Sequence, residues 1–337
     1  MTTGRRPRLG AMYLREWDPA ALMRLARRAE SIGLDELWVI EDCFHTAGIA
    51  QAATALAVTE RLRVGIGIMP AVAHNPAILA MEIATLALIH PGRLLPGIGH
   101  GVAEWMGQIG ARPPSWLAAL EETVTAVRAL LAGETVDLEG RTVRLRDVRL
   151  DQPPMEVPPV AVGVRGPKSF TLAGRIADGT ILSEYSSPGY VATALDRIVA
   201  GMTEAGRTDP HQLTVYVHAM VDARDPASAR NMMRRVVAGG LAGGLAGGLD
   251  AQSAALPFAT ELADRIAAGG ADALARDMPD AWLDELAATG TPEQARTMID
   301  RLAAAGADSV VLVAPPSVAP DDWLGLVERD LLPMFRT

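Results

Sequence analysis

The segment GVRGPKS, Gly163–Ser169, sets two glycines, an arginine and a lysine where a short apolar run gives way to a helical pattern. Glycine admits close backbone approach, and a helix N-terminus presents unpaired N–H groups to an anion. Pro167 suits the first helical position. These residues could clamp a phosphate; they equally describe an ordinary strand-to-helix turn with solvated basic side chains. LPGIGHG, Leu95–Gly101, brings three more glycines to a strand end, and LRVGIGIMP carries Gly65 and Gly67 inside a strand. Interior glycines weaken a strand, so they mark either a bulge or a close approach by another group.

Acid–base chemistry has a short roster. Glu41, Asp42 and His45 follow one apolar run, His74 and Asn75 another, His100 and Glu104 a third, and Glu184 a later one. Glu41, His100 and Glu184 are the proton-handling candidates. The six histidines show neither H-x-x-x-H nor H-x-H spacing, so no metal site is expected. His218, in VYVHAMV, reads as a core histidine. The lone Cys43 excludes an internal disulfide framework and reads as a small buried residue rather than a nucleophile. No G-x-S-x-G elbow is present.

These positions matter only if strands bring them together. Apolar, β-branched runs recur at 8–14, 36–40, 62–68, 93–98, 160–164, 180–182, 213–221 and 309–313. Helical periodicity follows most of them. Asp18-Pro19 opens the first helix and Gly33 stops it. TVDLEGRTVRL, 135–145, reads as a β-hairpin outside the alternation. Eight strands alternating with helices predict a parallel sheet closed as an α/β (β/α)8 TIM barrel, whose chemistry lies at the C-terminal strand ends. An open doubly wound sheet is disfavoured, because no G-x-G-x-x-G turn follows a strand with an acidic residue about 20 positions later. The stretch 239–289 is the least regular. Its run GGLAGGLAGGL, Gly239–Leu249, reads as a poor helix and a mobile loop, with helical patches at 257–268.

Composition narrows the class. Hydrophobic residues make up 49% of the 337 residues, enough for a large core, while aromatics at 4% leave Ala, Leu, Val and Ile to fill it. The formal charge of -9 is spread along the chain with no basic stripe, so nucleic acid is not an expected partner. No apolar run approaches the length of a membrane span and no signal peptide is legible. A cytoplasmic protein is expected.

In order, ELWVIEDCF, the stretch from LRVGIGIMP through LLPGIGHG, VAVGVRGPKSFTLAGRIADGTIL and the closing GTPEQARTMIDRLAAAGADSVVL resemble the luciferase-like monooxygenase superfamily. The likeness is strongest to its F420-dependent reductase branch, related to methylenetetrahydromethanopterin reductase. It covers nearly the whole chain and implies a single domain over 1–337 with a variable insertion at about 239–289. It further implies a bulge, often with a non-prolyl cis peptide, at Gly67, Ile68 and Met69 behind a deazaflavin ring. Asp42 or Glu41 would contact that ring or its ribityl chain. His100, Gly101 and Trp105 would line the cofactor, and Gly163, Val164, Arg165 and Gly166 would hold its phosphate. The implied activity is hydride transfer between coenzyme F420 and a small organic substrate, by a homodimer. An FMN-dependent monooxygenase is the alternative. Met12 stands where some members carry a strand-one carboxylate, which motivates a third reading, a non-catalytic flavin-binding barrel.

Overall fold

The computed structural model describes residues 6–244 and 250–336. β1 (Arg8–Met12), β2 (Glu36–Val39) and β3 (Arg63–Pro70) are followed by α1 (Leu22–Ile32), α2 (Gly48–Ala57) and α3 (Pro76–Ile89). β4 (Leu94–Gly99) leads to a short α4 (Ala103–Gln108) and then α5 (Trp116–Leu131). The hairpin is β5 (Val136–Glu139) and β6 (Arg144–Val148). Then come β7 (Ala161–Gly163), α6 (Pro167–Ile176), β8 (Gly179–Leu182), α7 (Pro188–Glu204), β9 (Gln212–Val221) and α8 (Pro226–Gly244). The last elements are α9 (Ala259–Asp277), α10 (Asp280–Leu286), β10 (Ala287–Gly290), α11 (Pro292–Ala304), β11 (Ser309–Val313) and α12 (Pro320–Leu326).

The strands hydrogen-bond in the order β10-β9-β11-β1-β2-β3-β4-β7-β8, and β8 pairs again with β9, so the row closes into a (β/α)8 barrel. β10 is an added ninth strand, paired with the last residues of β9, His218–Val221. Contacts divide the chain into two compact units. One holds the chain to Met12, Leu182–Asp196 and the segment from Leu213 onward; the other holds Tyr13–Ile181 and Arg197–Gln212.

Local chemistry sets the helix ends as the sequence predicts. Asn75 accepts from the Ala77 N–H with Pro76 next to it, which starts α3. Ser115 does the same for α5 through Ala118. Gly33, at φ 92°, closes α1 in the left-handed conformation.

In the second unit the core glycines acquire their reasons. The Trp38 indole lies on Gly65, where an added Cβ would stand 2.2 Å from the ring. The indole N–H donates to buried Glu36, which also accepts from Arg63. Register shifts between Ile66 and Met69, and the Gly67–Ile68 peptide is cis, as the resemblance implied. A second cis peptide, Cys43–Phe44, was not foreseen. The bulge lays the Ile68 side chain across β4 and β7. A Cβ on Gly99 would meet it at 2.8 Å, and one on Gly163 at 2.4 Å.

The stretch 239–289 departs from the reading of its sequence. Gly239–Gly244 continue α8 as helix, while 245–249 lie outside the described residues. Each interior glycine costs about 1 kcal/mol of helix propensity. Burial of Val237, Ala238 and Leu241 along the same helix offsets that local cost. The helical patches at 257–268 extend to Asp277 as α9, interrupted at Gly270. β10, of sequence AATG, carries one β-branched residue, Thr289, and none of the valines, isoleucines or aromatics that mark a strand.

Gly163→Ala should destabilise the protein by about 1–3 kcal/mol through overpacking against Ile68. In chemical denaturation, adding Ile68→Ala should recover most of that loss. Strict additivity of the two substitutions would refute the contact as its cause.

Candidate active site

Adjacent strands in the second unit end in register: Pro70 pairs with Gly99, and Gly99 with Gly163. The residues that leave β3, β4 and β7 therefore emerge side by side. Met69 is fully buried behind this row, while Ile68 is partly exposed on it. Gly101 sits at φ 72° with Pro70 against it, so the chain leaves β4 through a turn only glycine makes easily. Val164 is buried and Arg165 is exposed. Gly166, at φ 83°, is the N-cap of α6 and provides no side-chain cap to its first turn. That turn is a place where an anion meets N–H groups and the positive end of the helix dipole.

Glu41 acquires two partners the sequence did not pair with it. One carboxylate oxygen accepts from the Gly48 N–H at 2.8 Å, at the start of α2. The other lies 2.5 Å from His74 Nε2, so a residue leaving β2 is joined to one leaving β3. In the sequence, His74 stands only within the run that follows LRVGIGIMP. Its 33-residue separation from Glu41 hides the pair from any local pattern. The bond to Glu41 raises the His74 pKa above its ordinary value; burial works against this, and the charges of Glu41 and Glu82 add to it. Asp42 turns instead to Arg15, at 2.7 Å, and Arg15 also holds Glu16 on the surface.

His100 presents a contrasting imidazole. Burial pushes its pKa down, partly countered by the Trp116 backbone, and its Nδ1 is buried with no hydrogen-bond partner. Trp116 meets the ring edge-on, with centroids 6.4 Å apart. Trp105, on α4, is half-buried. Burial and the charges of Glu41 and Asp42 raise the Cys43 pKa, the opposite of what a thiolate nucleophile needs. Cys43 is also partly exposed, not the buried residue its sequence setting implied.

Glu184 belongs to the other unit, beyond β8. There Gln252 donates to the carbonyls of Ser183 and Glu184 and to the Ser186 hydroxyl. This clamp accompanies a left-handed Tyr185, φ 69°, whose hydroxyl lies 3.1 Å from His218 Nε2. Gly240 of α8 underlies that hydroxyl, since a Cβ there would fall 1.8 Å from it.

The Luciferase-like monooxygenase family profile matches residues 5–309. The chain belongs to that family. A 5,10-methylenetetrahydromethanopterin reductase of Methanolobus tindarius is 28% identical over 94% of this chain and 97% of its own length. An F420-dependent glucose-6-phosphate dehydrogenase of Intrasporangium calvum is 34% identical over 65% of this chain and 70% of its own. Among solved structures, the coenzyme F420 dependent tetrahydromethanopterin reductase of Methanopyrus kandleri superposes with TM-score 0.81 at 22% identity, covering 98% of this chain and all of that one. For a luciferase-like protein, the β3 bulge at Gly67–Met69 is where the sequence resemblance put it, whereas His74 emerges only from the structure.

A histidine whose pKa is raised in the folded state stabilises the fold fully below its unfolded value near 6.5, and that contribution fades as pH rises through the higher folded value. Wild-type melting temperature should therefore fall as pH climbs above neutrality, a loss of about 1–2 kcal/mol. In Glu41→Gln the same stretch of the profile should be flatter. Parallel profiles for the two proteins would exclude the pair as a source of pH dependence.

Proposed function

We propose that this protein is an F420-dependent oxidoreductase, moving a hydride between the deazaflavin and a small organic substrate. The observation that carries the reading is the in-register row of strand ends, with Ile68 lying over glycines at one part of it and an uncapped helix start at another. A flat ring and an anionic tail need those two features. The relatives whose names include F420 supply the choice of cofactor.

The residues present fit such a group. His100 offers a buried Nδ1 without a partner, and Gly166 leaves the first turn of α6 without a side-chain cap. Bound F420 supplies the two-electron chemistry. The bulge at Gly67, Ile68 and Met69 backs the ring, His100, Gly101 and Trp105 line it, and Gly163, Val164, Arg165 and Gly166 hold the phosphate. Glu41 handles the proton: its carboxylate is bonded to His74, a neighbour with which it can share one, and to the Gly48 N–H at the start of α2. His100 and Glu184 are the other proton-handling positions. Asp42, ion-paired with Arg15, is the other acidic residue after β2 that we assign to the cofactor. Reduction of a C=C or C=N bond and oxidation of an alcohol all suit this arrangement.

We read residues 1–337 as one luciferase-like domain acting in the cytoplasm as a homodimer, without nucleic-acid or membrane partners. Among the described residues no helix is long and apolar enough to cross a membrane. The dimer reading rests on α3, PAILAMEIATLALI, whose outer face exposes Ile78, Met81, Leu88 and Ile89 at 43–63%. An exposed stripe at that spacing suits a second copy meeting it about a twofold axis.

Fluorescence titration should show saturable F420 binding, weakened about ten-fold by Arg165→Ala through loss of a charge-assisted phosphate contact. Saturation by FMN, with no response to F420, would reject the proposal in favour of flavin chemistry. Separately, Ile78→Glu with Met81→Glu should convert a dimer to a monomer in sedimentation equilibrium while leaving the melting temperature within a few degrees. A wild-type protein that is monomeric at high concentration would dispose of the α3 interface.

A further inference from the structure

A cavity of about 500 Å3 opens in the second unit between the chain leaving β3, the loop before α5 and the tip of the hairpin. Its charged lining is of one sign: Arg112, Arg141, Arg144 and His74, with no Asp or Glu. That is notable in a chain with 40 acidic and 31 basic residues. Arg144 pairs with Glu139 along the hairpin at 3.0 Å, on the surface. Arg112 and Arg141 have no side-chain partner among the described residues.

The hairpin is held so that it presents these groups. Glu122, on α5, accepts from the backbone N–H groups of Arg141, Thr142 and Val143 and from the Thr142 hydroxyl, at 2.7–2.9 Å. Burial alone would raise its pKa, but these four bonds overcome that and bring it down to about 2. Gly140 makes room, since a Cβ there would lie 2.5 Å from the Glu122 carboxyl carbon. The Glu122 carboxylate is thus spent on backbone, and Arg141 and Arg144, at the hairpin tip, stand in the lining of the cavity.

We propose that this cavity is an anion subsite that takes a group bearing several carboxylates or phosphates. Guanidinium forks bind both bidentately, and the cavity has the volume of a small-ligand site. It shares His74 with the Glu41 pair, so its occupant lies next to the proton-handling residues. Two sources fit: the glutamyl tail that extends beyond the phosphate of F420, or the anionic end of the substrate. Naming the tail rests on the proposed use of F420; the cavity's selection for anions does not.

Calorimetric titration with sodium pyrophosphate and with tri-γ-glutamate tests the subsite in the absence of any cofactor. Both probes should bind the wild-type protein, more tightly at low salt, and the triple variant R112A/R141A/R144A should weaken them by about ten-fold or more. Because the three side chains are exposed, the variant should melt as the wild type does, and R112Q/R141Q/R144Q provides a second form without the charges. Equal affinity in wild type and variants, or no binding to either, overturns the proposal. F420 and F420 trimmed of its glutamates but retaining the phosphate distinguish the sources. Preference for the tailed form that disappears in the variant identifies the tail. Equal binding of both forms, with pyrophosphate still held by the arginines, identifies the substrate. Should F420 fail to bind while the probes bind through the arginines, the cofactor assignment falls and the subsite stands.

Discussion

The arrangement depends on one packing contact, the Ile68 side chain laid over Gly99 and Gly163 by the bulge in β3. Ladder register is broken between Ile66 and Met69 and resumes with Met69 opposite Ile98. A side chain is thereby turned onto strands that present only α-hydrogens to it. A larger residue at either glycine would occupy the space Ile68 needs, so that side chain would have to shift. The cost of glycine in a strand is accepted here because the next strand's side chain takes the vacated volume.

Electrostatics then separate groups that the sequence sets close together. Glu41 and Asp42 are consecutive, yet one joins His74 and the start of α2 while the other joins Arg15 at the surface. The two imidazoles of the row diverge as well. The His74 pKa is raised by its carboxylate partner, and that of His100 is lowered by burial. A pair of titratable groups pushed in opposite directions within one row of strand ends is the pattern expected where protons are moved.

Elsewhere the same economy of small residues recurs. Gly65 receives the Trp38 ring, Gly140 the Glu122 carboxyl and Gly240 the Tyr185 hydroxyl. In each case a strand, turn or helix accepts a conformational cost so that a large or polar side chain can approach the backbone. Glycine-rich sequence in this protein marks close packing at these positions.

Strand order, closure and most helix ends were legible in the sequence because they follow from local signals: apolar runs, proline after a capping residue, glycine at a stop. The bulge and the uncapped turn at Gly166 were legible too, through glycines that needed a reason and a family resemblance that placed them. The helical course of Gly239–Gly244 was not, since glycine's propensity is local and the burial that outweighs it is not. β10 was missed because four small residues give no period. The Glu41–His74 pair and the arginine cavity were decided by tertiary structure alone. They join residues tens of positions apart, and only the closing of the strands, with the seating of the hairpin on Glu122, sets which charges meet.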